Sequence, residues 1–129
     1  MSIRVIRLGT AREKGEGLRI GTVRRPPRGV PRSKFASDDW YDVWFPTLAP
    51  SAAAVKSALS GTTPAQWRRF TQRYRSEMAE PEAKHALDLL AALSRTTNFS
   101  VGCYCEDEDR CHRSILRQLL LEHGARVER

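Results

Sequence analysis

One stretch constrains this 129-residue chain more than any other: residues 98–121, NFSVGCYCEDEDRCHRSILRQLLL. Phe99, Val101, Cys103 and Cys105 lie two apart, the spacing of one face of a β-strand. From Cys111 the period changes, and Ile115, Leu116, Leu119 and Leu120 form the apolar stripe of an amphipathic helix. Between them Glu106–Arg110 are charged throughout, which suits a solvent-facing turn. Cys111, His112, Arg113 and Ser114 are therefore expected at a helix start just past the carboxyl end of a strand. Open α/β sheets hold their ligands at that place, and the free N–H groups of a helix start favour an anion.

The remaining elements follow from punctuation and period. Ser2–Leu8, with Ile3 and Val5 alternating against arginines, predicts a first strand, then a polar turn through Gly15–Gly17 and a second strand over Leu18–Val23. Ser51 is placed to cap a helix over Ala52–Leu59 that stops at Gly61. Thr63-Pro64 opens another, with Trp67, Phe70, Tyr74 and Met78 on one face, and Pro81 a third, burying Ala83, Ala86, Leu87, Leu90 and Leu93. Gly124 ends the last helix before a short strand at Ala125–Val127. Trp40, Tyr41, Trp44 and Phe45 are expected to pack over the core, a stacking platform for a base being the alternative. Strands at both ends with helices between predict one domain over 1–129, a small Rossmann-like α/β sandwich with a partly parallel sheet.

Length and charge narrow the function. No run approaches the ~20 apolar residues that span a membrane, and the N-terminus shows no apolar secretory segment. Three cysteines without an export signal predict reduced thiols in the cytoplasm. The net charge of +7 is uneven: residues 1–35 carry ten Lys or Arg against two Glu. Nucleic acid, nucleotides and other polyanions are the partners such a balance permits.

Three chemistries are open at the Cys-His-Arg helix start. Cys111, at a helix N-terminus beside His112 and Arg113, has the surroundings that depress a thiol pKa, making Cys111 or His112 the candidate catalytic group. Alternatively His112 and Arg113, with Ser114 adding a hydroxyl donor, hold an anion together with Arg24, Arg25 or Arg28 from the proline-stiffened loop Arg24–Arg32, since guanidinium forks match phosphate and carboxylate. In the third, Cys103, Cys105, Cys111 and His112 supply four zinc ligands, although C-x-C-x5-C-H is not the paired C-x2-C spacing of zinc knuckles. One of Glu106, Asp107, Glu108 and Asp109 is in position to orient His112. Their negative charge beside the helix start favours a small, specifically held anion over a long polyanion.

These blocks together resemble the domain-of-unknown-function 488 family, in its YeaO-like branch. The resemblance runs through Arg24–Val30 with Ser33-Lys34, Leu48-Ala49-Pro50, Trp67 with Phe70 and Arg73-Tyr74, and Cys103-Tyr104 with Cys111-His112-Arg113. It implies a small Rossmann-like domain, cytosolic and bacterial, and supplies no activity. Two departures stand out: Pro26 precedes Pro27 where that branch usually has Trp, and the Cys-His-Arg block that many of its members lose is present. The expectation is a protein that binds a phosphate- or carboxylate-bearing ligand, a nucleotide among them, beside the Cys-His-Arg helix start, with no cofactor required. A nucleic-acid module using residues 1–35 and a structural or partner-binding domain are the alternatives.

Overall fold

The computed structural model describes residues 1–59 and 63–128. Four strands form the sheet: β1 (Ile3–Arg7), β2 (Leu18–Gly21), β3 (Val43–Trp44) and β4 (Phe99–Cys103). Four helices follow the predicted punctuation: α1 (Ala52–Leu59), α2 (Pro64–Met78), α3 (Pro81–Leu93) and α4 (His112–Glu122). Ser51 Oγ accepts from the Ala54 amide, so it caps α1 as expected; the stop foreseen at Gly61 lies outside the described residues. Thr63 and Gln66 form a reciprocal capping box at the start of α2. Gly124, at φ +87°, ends α4 in a left-handed conformation open to glycine. The terminal strand shrinks to a single parallel bridge from Val127 to Ile3.

The strand order is β1-β4-β2-β3, and every pairing is parallel, further than the partly parallel sheet expected. Strand β4 sits between β1 and β2, with Phe99 opposite both Ile3 and Leu18 and Val101 opposite both Val5 and Ile20. Those side chains share one face, and all four helices cover it. Ile3, Phe99 and Val101 pack there with Leu48, Phe70, Tyr74, Leu87, Leu116 and Leu120. Burial of such side chains is worth roughly 1.5–3 kcal/mol each, which is what secures the helix layer.

The opposite face is covered by loops instead of helices. Leu8, Val23, Tyr41, Cys103 and Cys111 form a second core at the carboxyl end of the sheet, with Tyr41 and Leu8 on this loop face and Cys103 on the face it shares with Val101. Gly21 and Gly102 are register partners, and both face this layer. A β-carbon at Gly21 would lie 2.4 Å from the Tyr41 ring, and one at Gly102 would lie 2.7 Å from Leu8. Two missing side chains therefore let the loop layer sit directly on the sheet. Arg19 is buried in the same layer, its guanidinium bidentate to Glu16 at 3.0 and 3.2 Å. The carboxyl ends of β1, β2 and β4 and the start of α4 all meet where the two cores join.

Candidate functional site

Past those strand ends lies a cavity of about 1030 Å³, large enough for a nucleotide-sized ligand. One wall is the Arg24–Arg28 loop; the other is Cys103–Cys105 with Arg110–His112. Trp40 and Tyr104, both in the lining, meet edge to face with ring centres 5.8 Å apart. The Tyr104 hydroxyl donates to the Arg25 carbonyl at 2.9 Å and ties the proline loop to the cysteine strand. Arg24 is braced as well, donating to the Pro50 and Ala49 carbonyls.

The lining carries Arg7, Arg24, Arg25, Arg28, Lys56 and Arg110 and, among the described residues, no Asp or Glu. Arg7 faces Glu106 at 3.6 Å; no carboxylate among the described residues pairs with the other five. Elsewhere in the basic N-terminal quarter three arginines are paired within the fold. Arg4 pairs with Glu13 and Glu128, Arg12 with Asp39 and Asp42, and Arg19 with Glu16. Five cations without a carboxylate partner thus converge on the cavity, while Lys14, Arg32 and Lys34, likewise unpaired among the described residues, lie outside its lining.

Cys111 and His112 form the floor, where α4 begins. His112 is buried, with Nε2 2.8 Å from the Thr22 carbonyl. A carbonyl only accepts, so Nε2 carries the proton and, in the neutral ring, Nδ1 keeps its lone pair. Nδ1 lies 3.7 Å from Cys111 Sγ. Cys111 is the N-cap of α4, with no side-chain cap hydrogen bond of its own. Cys103 Sγ is 3.7 Å from Cys105 Sγ. Cys103 holds its proton, raised first by donating to Cys105 and then to Cys111, with burial adding. Cys111 is lowered, first by the Cys103 S–H; Cys105 and burial oppose this, and His112 assists. Cys105 is also lowered, first by Cys103, then by Cys111, with the Arg113 charge contributing.

This arrangement supports two chemistries. The imidazole can take the Cys111 proton and leave a thiolate at a helix start, the preparation of a nucleophile. Alternatively, Cys103, Cys111 and His112 offer ligand atoms within 4.8 Å of one another, a group able to hold a metal ion.

A family model described as the active DUF488-N3 subclade matches residues 3–124. The chain belongs to the DUF488 family. No curated protein and no solved structure matches it. No helix among the described residues is long and apolar enough to cross a membrane.

Within this DUF488 chain the predicted site residues part company. Arg24, Arg25, Arg28, Cys111 and His112 line one cavity, as do Cys103 and Cys105. Arg113 and Ser114 do not. Arg113 is buried behind the cysteines, where Nη2 donates to the Cys105 carbonyl at 2.6 Å and Nε has no partner. Ser114 Oγ donates to the Cys111 carbonyl in its own helix turn at 3.0 Å. Cys105 leaves the buried strand face expected for it: β4 ends at Cys103, and Cys105 is exposed. Nor does an acidic loop residue orient His112; Glu108 pairs with Arg117, Glu106 with Arg7, and the Thr22 carbonyl does the orienting. Of the aromatic patch, Tyr41 is core as expected, whereas Trp40 borders the cavity and Trp44 is exposed. Sequence reasoning did not place Arg7, Lys56, Arg110 or Tyr104 at the site. For Arg110 the signal was its position next to Cys111; Lys56 comes from α1, and no local pattern points to it.

Proposed function

We propose that this DUF488 protein binds a small phosphate- or carboxylate-bearing ligand, a nucleotide fitting best, in the cavity between the proline–arginine loop and the start of α4. The observation that carries the reading is a ligand-sized cavity walled by six cationic side chains with no acidic residue in the described lining. Trp40 and Tyr104 supply an aromatic wall suited to a base. The anionic group rests on Arg25 and Arg28, which leaves the rest of the ligand facing Cys111 and His112. Free cysteines at 3.7 Å favour a reducing compartment, so we place the protein in the cytoplasm.

Calorimetric titration with inorganic phosphate, adenosine monophosphate and citrate tests this. Saturable binding by the wild type and a loss of about 100-fold or more in R25A/R28A are expected, since each of two charge-assisted hydrogen bonds is worth roughly 1.5–3 kcal/mol. Equal binding by the double variant, or none by the wild type, overturns the reading. Salt separates it from a nucleic-acid module: a small anion releases one or two counterions, whereas a polynucleotide contacting many phosphates gives a far steeper dependence.

A further inference from the structure

Zinc bound tetrahedrally by thiolate at about 2.3 Å and imidazole at about 2.0–2.1 Å places neighbouring ligand atoms roughly 3.5–3.8 Å apart. Cys103 Sγ to Cys105 Sγ is 3.7 Å, and Cys111 Sγ to His112 Nδ1 is 3.7 Å. Both separations match edges of that tetrahedron. The Cys103, Cys111 and His112 atoms lie within 4.8 Å of one another; Cys105 falls outside that group as placed and reaches it through Cys103, from an exposed position free to swing in as the fourth ligand. We propose that Cys103, Cys105, Cys111 and His112 form a tetrahedral site for a thiophilic divalent cation, zinc in the first place.

Two further features of the fold point the same way. Metal-bound histidines commonly donate their second ring nitrogen to a carbonyl or carboxylate, which fixes tautomer and ring orientation. His112 does this already: Nε2 donates to the Thr22 carbonyl, and Nδ1 is left with its lone pair on the thiol side. Thr22 is itself fixed, its amide and hydroxyl both donating to the Gly102 carbonyl at 3.0 Å. The second feature is Arg113, 3% exposed and paired with no carboxylate among the described residues. A buried cation is expensive without a counter-charge. Three thiolates, one neutral imidazole and a divalent cation carry a net charge of −1, and Arg113 is hydrogen-bonded to the backbone of one ligand residue, Cys105. The buried arginine and the metal centre therefore complete each other's charge balance. Zinc displaces the three thiol protons to solvent, and no redox step is involved.

The site is independent of the anion reading, because its ligands are thiols and imidazole and its probe is the metal alone. Full-chain protein, reduced and stripped of metal, is titrated with zinc against a chromophoric chelator and, separately, with cobalt. One equivalent of zinc per chain is expected. Cobalt should give sulfur-to-metal charge transfer in the near ultraviolet and the intense visible bands of tetrahedral coordination. Single replacements C103S, C105S, C111S and H112A should each weaken zinc by about 100-fold or more, beyond the 10- to 100-fold of losing an outer-shell partner. Far-ultraviolet circular dichroism identifies any variant that has failed to fold, and the wild-type cobalt spectrum stands without them. No stoichiometric zinc by protein with three titratable thiols overturns the proposal and leaves a free thiol–imidazole pair. So does a weak octahedral cobalt spectrum, or zinc affinity unchanged in folded C105S and C111S. Anion binding is scored in the metal-free protein, so either reading can fail alone.

Discussion

Arg19→Met tests whether a charge in the loop layer is as tightly enclosed as its geometry indicates. Arg19 is fully buried and Glu16 is 4% exposed. The guanidinium makes two hydrogen bonds to Glu16, and Nη1 donates to the Thr10 and Asp39 carbonyls at 2.7 Å each. Methionine keeps much of the apolar stem but strands a buried carboxylate and leaves both carbonyls without their donor. Breaking a buried pair in this way costs about 3–5 kcal/mol. For 129 residues the unfolding entropy is about 0.27 kcal/mol per kelvin, so the melting temperature should fall by about 11–19 °C. Urea unfolding should give a lower midpoint at an unchanged slope. The double variant R19M/E16M should recover most of the loss, since removing both charges is close to neutral where removing one is not. A cost below about 1 kcal/mol, or no recovery in the double variant, would refute the enclosed pair.

Gly21→Ala should destabilise by about 1–3 kcal/mol through overpacking against Tyr41, and Tyr41→Leu in the same chain should return part of it; denaturation midpoints decide. Asp42 predicts a pH dependence. Burial pushes its carboxyl up, but hydrogen bonds from Arg12 and the Arg19 amide and the charges of both arginines outweigh this, so it sits below the usual aspartate range. A lowered carboxyl contributes stability above its unfolded value of 3.8 and loses it as the pH falls through the folded value. The stability gap between wild type and Asp42→Asn should therefore be widest near neutrality and shrink below about pH 4, and a gap that does not change with pH would exclude the ion pair as its source.

Much of the architecture was legible from neighbours in the chain. The two-residue period of Phe99–Cys103, the change of period at Cys111, the Thr63-Pro64 cap and Gly124 each express backbone geometry within one turn or one strand, so β4, α2 and α4 could be placed without a tertiary model. The helix start carrying Cys111 and His112 was located for the same reason. Other outcomes depended on what packed against each residue. Glu16 stands three residues before Arg19, but nothing local shows that this pair is enclosed by two distant carbonyls and the loop layer while Arg25 stays open to the cavity. Nothing local turns Arg113 inward to the Cys105 backbone, or brings Arg7, Lys56 and Arg110 from three separate parts of the chain to one cavity. Strand order is of the same kind, because β4 enters between β1 and β2 from about eighty residues away. The sequence by itself determined β1, β2, β4, the four helices and the position of the thiol-bearing helix start, since short-range hydrogen bonding and hydrophobic period set these; β3 and the reduction of the terminal strand to one bridge depended on tertiary pairing. Only the tertiary structure decided which cations stay without a partner at the cavity, how deeply the Arg19–Glu16 pair is enclosed and that Cys111 comes close to Cys103, because these depend on elements that the fold, not the chain, brings together.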